Sequence, residues 1–459
     1  MTILIKNGTV VNADKHFAAD VLIYNGIIEQ VAPAIEVNDL KDLEIIDAKG
    51  RYLFPGGIDP HVHMHLPTPA GFSSDDFYTG SKAALFGGTT TLIDFVTPHK
   101  GESLKEALHK RTAEAANSYI DYSFHVSPVE WRSSMPQEIK ACLVNEGITS
   151  FKVYMAYKES IGLDDDVLKK VTRAVADAGG ILTVHCEDGD EIEALRNQFY
   201  QEGKRTPHYH PLSRPPETEA EAVEKIIGFA AEAGCPLYIV HVSSMLSLHH
   251  IKMAQQNGQK VFAESCPHYL LLDDSKYEGT FEQTAPFMLS PPLRKKADNE
   301  ALWEALADNT VQTVGTDHCS FTMEQKRMGR NDFRKIANGA GGVEHRMELL
   351  YTYGVLQNRI SLSRFTAITS TNAAKIFGLY PQKGVIAQGS DADIVVWNPD
   401  TTKTISAKTH QMHCDSDIFE GFKITGSPEQ VIANGKIIIR NGKWSGENIR
   451  GKFLYRKAE

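Results

Sequence analysis

The stretch Gly56-Gly57-Ile58-Asp59-Pro60-His61-Val62-His63-Met64-His65-Leu66-Pro67 decides how the rest of the chain is read. It is a short apolar strand that runs into alternating histidines and stops at a proline. Residues two apart on a strand share a face, so His61 and His63 point the same way, as two imidazoles must to grip one cation. His65 falls on that face by spacing, yet it sits beside the breaker Pro67 and is equally placed to turn toward a substrate loop. An isolated His-x-His pair proves little; matching residues on later strands give it meaning.

Outward from this stretch, between about residues 54 and 375, the pattern repeats as strand, loop and helix. The candidate strands are Leu53–His63, Thr89–Val96, Tyr122–Val126, Ser150–Ala156, Ile181–Cys186, Leu237–Val242, Val261–Cys266 and Gln312–Asp317. Between them run helical patterns such as Ser103–Ala116, Asp165–Ala178, Glu217–Ala233 and Asn299–Ala307. Eight β-α units in one α/β domain of this size predict a (β/α)8 TIM barrel, with chemistry at the C-terminal ends of the strands.

Both termini carry a different signature. Asn7-Gly8 and Asn25-Gly26 near the start, and Asn434-Gly435 and Asn441-Gly442 near the end, interrupt short apolar strands. Asn-Gly supplies the positive φ angles of a two-residue hairpin turn, so Ile3–Val11 and Val21–Val31 are expected to be hairpins. Neither end has enough apolar residues for a core of its own, which predicts one small β-sandwich built from both. The expected division is therefore 1–53 for the first part of the sandwich, 54–380 for the barrel and 381–459 for the second part and the tail. The Gly451-Lys452-Phe453-Leu454-Tyr455-Arg456 tail could serve subunit contacts or pack on its own chain.

Composition narrows the function. The 459 residues, 42% hydrophobic and 23% charged, are ordinary for a globular protein, and no apolar run approaches the roughly 20 residues needed to cross a bilayer. A formal charge of −10 without a long basic run favours neither nucleic acid nor an anionic membrane. The six scattered cysteines, with no C-x-x-C pair, suit reduced thiols rather than disulfides or a thiolate site, so any metal should be held by nitrogen and oxygen. The opening residues read as a strand and turn rather than a signal peptide, and the expected location is the cytoplasm.

At their C-terminal ends the strands offer His61 and His63 on the first, Lys152 on the fourth, His185 on the fifth, His241 on the sixth and Asp317 on the eighth. One histidine at a strand end is commonly a satisfied core residue; four at one barrel mouth, with an acid, point to a metal site. Lys152 is the odd member, since an ammonium has no lone pair to give. Carbamylation would make it a two-oxygen ligand able to bridge two cations; the bland alternative is a buried lysine paired with an acid.

Taken together the chain resembles the cyclic-amidohydrolase branch of the amidohydrolase superfamily, and within it the D-hydantoinases and dihydropyrimidinases. The resemblance rests on Gly57-Ile58-Asp59-Pro60-His61-Val62-His63, Phe86-Gly87-Gly88-Thr89-Thr90-Thr91, Ser150-Phe151-Lys152-Val153-Tyr154-Met155-Ala156-Tyr157-Lys158, Leu212-Ser213-Arg214-Pro215-Pro216-Glu217, Ser290-Pro291-Pro292-Leu293-Arg294 and Gly315-Thr316-Asp317-His318-Cys319. It implies two Zn2+ ions: His61, His63, carbamylated Lys152 (N6-carboxylysine) and Asp317 around one, and Lys152, His185 and His241 around the other. It further implies hydrolysis of the cyclic amide bond of hydantoins or 5,6-dihydropyrimidines to N-carbamoyl amino acids by a bridging hydroxide. Tyr157 would donate to the oxyanion, Asp317 would shuttle the proton, and the backbone at Ser290 and Asn338 would hold the ureide edge. Such relatives are homotetramers or homodimers acting on a small cyclic ureide.

Neighbouring branches differ at particular residues. Dihydroorotases are expected to carry an arginine two places after the second histidine, where this chain has His65. Allantoinases typically lack the tyrosine that is present here as Tyr157; an allantoinase or another cyclic ureide hydrolase is the alternative. Dihydropyrimidinase-like cytoskeletal regulators keep the fold but lose ligands, whereas all six positions are intact here. His65, Tyr154 and the loop Leu66–Phe72 depart from the family pattern, which leaves the preferred ring substituent open.

Overall fold

The computed structural model describes residues 2–37, 42–446 and 449–458. Its centre is a sheet of eight parallel strands in sequential order: Gly57–Val62, Thr89–Val96, Asp121–Val126, Ser150–Tyr154, Ile181–His185, Leu237–Ile239, Val261–Ser265 and Thr313–Val314. Parallel strands covered on both faces need apolar or small residues throughout, and every position of Thr89–Val96 is buried. Helices such as Leu104–Glu114 and Asp165–Ala178 lie between them. Ser103 caps the first, its side chain and that of Glu106 closing a capping box, and the second stops at Gly179 in the left-handed region (φ 83°).

The seam between the first and last barrel strands is closed by side chains as much as by backbone. Val62 and His318 form a lone parallel bridge. Next to it, Asp59 accepts from Thr316 N (3.1 Å) and Thr316 Oγ1 (2.6 Å), and Arg346 Nη1 donates to the carbonyls of Ile58 and Val314 on either side of the seam. Burial raises the Asp59 carboxyl, and the Arg346 charge opposes that rise.

The terminal segments form one mixed nine-stranded sheet. Its order runs Lys443–Trp444, Lys436–Arg440, Lys423–Ala433, Ile394–Thr404, Tyr52–Pro55, Thr2–Val11, His16–Tyr24 and Ile27–Ala32, with Leu43–Asp47 paired to Thr2–Val11. The sheet curls onto itself around Ile3, Ile5, Ile23, Ile394 and Ile432. The turns at Gly26 and Gly435 meet so closely that a Cβ on Gly435 would lie 2.5 Å from Gly26 Cα. Its other face packs Phe54 and Trp397 against Phe365 and Tyr351 beside the barrel.

Two expectations are corrected. Leu53–His63 is two strands: Tyr52–Pro55 pairs antiparallel with Ile394–Trp397 of the terminal sheet, and only Gly57–Val62 enters the barrel. The break is at Gly56, where a Cβ would lie 2.1 Å from Thr90 Oγ1. Asn7-Gly8 is a bulge rather than a hairpin turn. Thr2–Val11 runs through it with a register shift between Ile5 and Gly8, and Asn7 (φ 61°) is tied to Asp20 and Asp47 at 2.9 Å each. Of the two uses left open for the tail, packing on its own chain is observed: Phe453 bridges to Tyr122, and Arg456 Nη1 donates to Ser150 Oγ at 2.8 Å, at the N-terminal ends of barrel strands.

Candidate active site

At the opposite end of the barrel the six expected ligands converge. His61 lies on Gly57–Val62, His63 one residue past it, Lys152 within Ser150–Tyr154 and His185 at the end of Ile181–His185. His241 and Asp317 follow the short strands Leu237–Ile239 and Thr313–Val314, each with positive φ (41° and 50°). Non-glycine residues held there are strained, and the packed barrel wall must impose the conformation that aims their side chains inward.

One lobe of the site is formed by His61 Nε2, His63 Nε2 and Asp317 Oδ1. The two nitrogens are 3.2 Å apart, and they lie 3.2 and 3.1 Å from the carboxylate oxygen. Donors bound tetrahedrally at about 2.0–2.2 Å stand about 3.3–3.6 Å apart, so this spacing is within a few tenths of an ångström of that around a shared cation. The other lobe pairs His185 Nδ1 with His241 Nε2 at 2.9 Å. The lobes adjoin, because ligand atoms of His61, His241 and Asp317 all lie within 4.8 Å of one another.

Carboxylates behind the histidines fix which nitrogen faces the cavity. His61 Nδ1 is 2.6 Å from Glu264 Oε1, and Glu264 Oε2 accepts from the Tyr238 hydroxyl at 2.7 Å. His185 Nε2 is 2.8 Å from Glu187 Oε2, which also receives Arg214 Nη1. Such outer carboxylates set the tautomer and raise ligand basicity. Burial alone would lower His61, but Glu264 and Asp317 outweigh it and raise the imidazole to about 9. Burial likewise works against ionised Asp317, yet His61 and His63 hold it well below the usual carboxylate range. This field holds positive charge at one spot, as a proton or as a metal ion.

Lys152 is 1% exposed, and among the described residues no acid lies within ion-pair distance of it. Its Nζ sits 5.0 Å from the Phe95 ring centroid and 5.2 Å from that of Tyr154. Burial lowers it to about 8 while Asp317 and Glu264 pull upward. The core-lysine alternative thus lacks its partner, and an amine of this kind is more readily neutral than an ordinary lysine.

Around the donors stand the expected substrate contacts. Tyr157 (φ 61°) places its ring centroid 5.2 Å from that of His185; burial raises its phenol and Arg214 opposes the rise. Ser290 Oγ and Asn338 Oδ1 are buried with no hydrogen-bond partner. These are side-chain atoms; the contacts expected with a ureide edge belong to the backbone at the same two residues. His65 is not brought into the donor set: it stacks on Phe72 at 4.0 Å and 8° beside the small hairpin of Pro67–Thr68 and Gly71–Phe72.

Glu264, Glu187 and Asp75 are not among the residues singled out from the sequence, and Arg214 enters there only within a motif, without a role. Asp75 Oδ2 lies 3.2 Å from His318 Nε2, and His318 Nδ1 accepts from Gly342 N (3.1 Å), which orients the ring of the residue after Asp317. The sequence signal was an acid set at the end of an apolar strand, as with Glu264 in Val261–Ser265. A second His/Asp group, His345, His410 and Asp417, lies outside the barrel-mouth donors. His345 Nε2 and His410 Nδ1 meet Asp417 Oδ2 at 2.9 and 3.1 Å, and His410 Nε2 is 3.0 Å from the Cys414 carbonyl. This network ties the excursion between Ile394–Thr404 and Lys423–Ala433 to the helix Arg346–Leu350. His413 contributes only its backbone N–H, to Asp75 at 2.9 Å.

Comparison with known proteins agrees with this geometry. The sequence model of the amidohydrolase family matches residues 52–438. The chain is 43% identical over 461 residues to the D-hydantoinase of Geobacillus stearothermophilus, covering 99% of this chain and 97% of that protein. It is 41% identical to a D-phenylhydantoinase of Escherichia coli, covering 100% and 98%. Among solved structures, the dihydropyrimidinase of Brevibacillus agri superposes with a TM-score of 0.97 at 42% identity, covering 100% of this chain and 99% of that one. The L-hydantoinase (dihydropyrimidinase) of Arthrobacter aurescens follows at 0.87 and 29%, covering 97% of each.

Proposed function

The chain belongs to the amidohydrolase family, and on that premise we propose that it opens hydantoins or 5,6-dihydropyrimidines to N-carbamoyl amino acids. It is a hydrolase of cyclic amides. The observation that carries the reading is the adjoining of two donor lobes around a buried, acid-free lysine at the mouth of the barrel. His61, His63 and Asp317 would hold one zinc ion, His185 and His241 the other, and carbamylated Lys152 would bridge them. The bound pair supplies Lewis-acid charge and a water of lowered pKa.

The chain's own groups do the rest. Ser290 and Asn338 orient the –NH–CO–NH– edge, so that the scissile carbonyl is presented in one pose. Tyr157 donates its hydroxyl to the carbonyl oxygen as negative charge builds there, an interaction strongest in the transition state. Asp317, through the oxygen not turned to His61 and His63, takes a proton from the attacking water. The same oxygen then passes that proton to the leaving ring nitrogen.

The same reading assigns catalysis to 54–380 and an accessory role to 1–53 and 381–459. It places the protein in the cytoplasm as a homotetramer or homodimer, in keeping with six free cysteines and with no helix among the described residues long and apolar enough to cross a membrane. The test is turnover of the metal-loaded protein on hydantoin, 5-phenylhydantoin, dihydrouracil, allantoin and dihydroorotate. Ring opening of the first three to N-carbamoyl amino acids is expected. Cleavage of dihydroorotate or allantoin with those three left intact would contradict the proposal.

A further inference from the structure

The motif Leu212-Ser213-Arg214-Pro215-Pro216-Glu217 has no part in the chemistry derived so far, yet it delivers a buried guanidinium to the site. Arg214 is 2% exposed. One arm of its fork, Nη1, donates to Glu187 Oε2, the same oxygen that lies 2.8 Å from His185 Nε2. Its Cζ stands 5.7 Å from the Tyr157 ring centroid, and its Nε has no hydrogen-bond partner. The backbone beneath is pinned: Arg294 Nη1 donates to the Arg214 carbonyl, while Arg294 Nε reaches Ser243 Oγ at 3.0 Å and its Nη2 lies 3.3 Å from Glu219 Oε2. A charge this deep is costly unless its position is used, and Glu187 engages one arm of the fork through Oε2 while its Oε1 is left without a partner.

We propose that Arg214 is a positioning residue that acts through Tyr157, holding the phenol toward the scissile carbonyl and strengthening its hydroxyl as a donor. The inference rests on the oxyanion role given to Tyr157 above. As Tyr157 donates its hydrogen bond, negative charge grows on the phenol oxygen. A fixed guanidinium beside it stabilises that charge, which is small in the ground state and largest in the transition state.

The test is a double-mutant cycle on metal-loaded enzyme, with kcat, KM and metal content measured for Arg214→Gln, Tyr157→Phe and the pair. Arg214→Gln should lower kcat about 10–100-fold, the scale of one hydrogen bond to a charged group, with KM and metal content little changed. In the Tyr157→Phe background the same substitution should change kcat less than about threefold, because the group it acts through is gone. Arg214→Lys keeps the charge without the fork; it should retain an intermediate kcat and carries the same cycle if Arg214→Gln does not fold. An equal loss in both backgrounds, or a loss that follows metal content or KM, would overturn the inference while leaving the role of Tyr157 intact. A Tyr157→Phe enzyme with near-normal kcat would instead remove the oxyanion reading on which the inference stands.

Discussion

His61 Nδ1 lies 2.6 Å from Glu264 Oε1, and both residues are buried. The contact leaves His61 Nε2 as the ring nitrogen free to face His63 and Asp317, so a proposed metal ligand on the first barrel strand is aimed by an acid on the seventh. Glu264→Gln keeps the shape and removes the charge. Metal affinity and turnover should fall about 10–100-fold, the usual effect of losing such a partner. Titration of the apo-protein with zinc, followed by rate measurement, checks this. Unchanged affinity would mean that Glu264 serves the fold alone.

In the proposed mechanism Tyr157 donates to charge that exists only in the transition state. Tyr157→Phe should therefore lower kcat about 10²–10³-fold with a small effect on KM. Steady-state kinetics on the preferred ring would separate the two constants, and a change confined to KM would assign Tyr157 to ground-state binding.

The site was legible in the sequence to the extent that its chemistry is carried by rare residue types at a repeated position. Four histidines, a lysine and an aspartate at strand ends have few alternative explanations, and the structure brings all six to the barrel mouth. Glu264 and Glu187 were not legible, because their meaning depends on a neighbour far away in sequence: Glu264 meets His61 across 203 positions. The Asn-Gly pairs show a limit of local reading. Asn25-Gly26 and Asn434-Gly435 make hairpin turns, whereas Asn7-Gly8 spends the same positive φ on a bulge, since Asp20 and Asp47 hold the strand on course. Gly56 ends one strand and begins another within a single apolar run, a division made by the close approach of Thr90 and Asp393 and by no feature of the run itself.

The His345, His410 and Asp417 network predicts a pH dependence of stability. Burial alone would lower His345, but Asp417 and Glu348 outweigh it and raise the group from 6.5 to about 9. A histidine raised on folding contributes stability in full below its unfolded value and loses it as pH climbs through its folded one. The contribution should therefore fade between pH 6.5 and about 9. The melting temperature of the wild type should drop across that window more steeply than that of His345→Gln. Parallel curves would show that His345 is not charged in the native state.

The account turns on Lys152 becoming a carboxylate-like bridge. Burial brings the amine down to about 8, so the neutral form that takes up carbon dioxide grows as pH rises through that value, and reactivation of metal-depleted protein by zinc should depend on bicarbonate and quicken over the same range. The most direct measurement is metal content and activity of Lys152→Ala with and without a short carboxylic acid such as propionate. About two ions per chain in the wild type should fall to one or none in the variant, with nearly all activity lost, and both should partly return when propionate supplies the missing oxygens. A Lys152→Ala protein that kept two tightly bound metals and near-normal turnover would contradict the bridging role and return Lys152 to the barrel core.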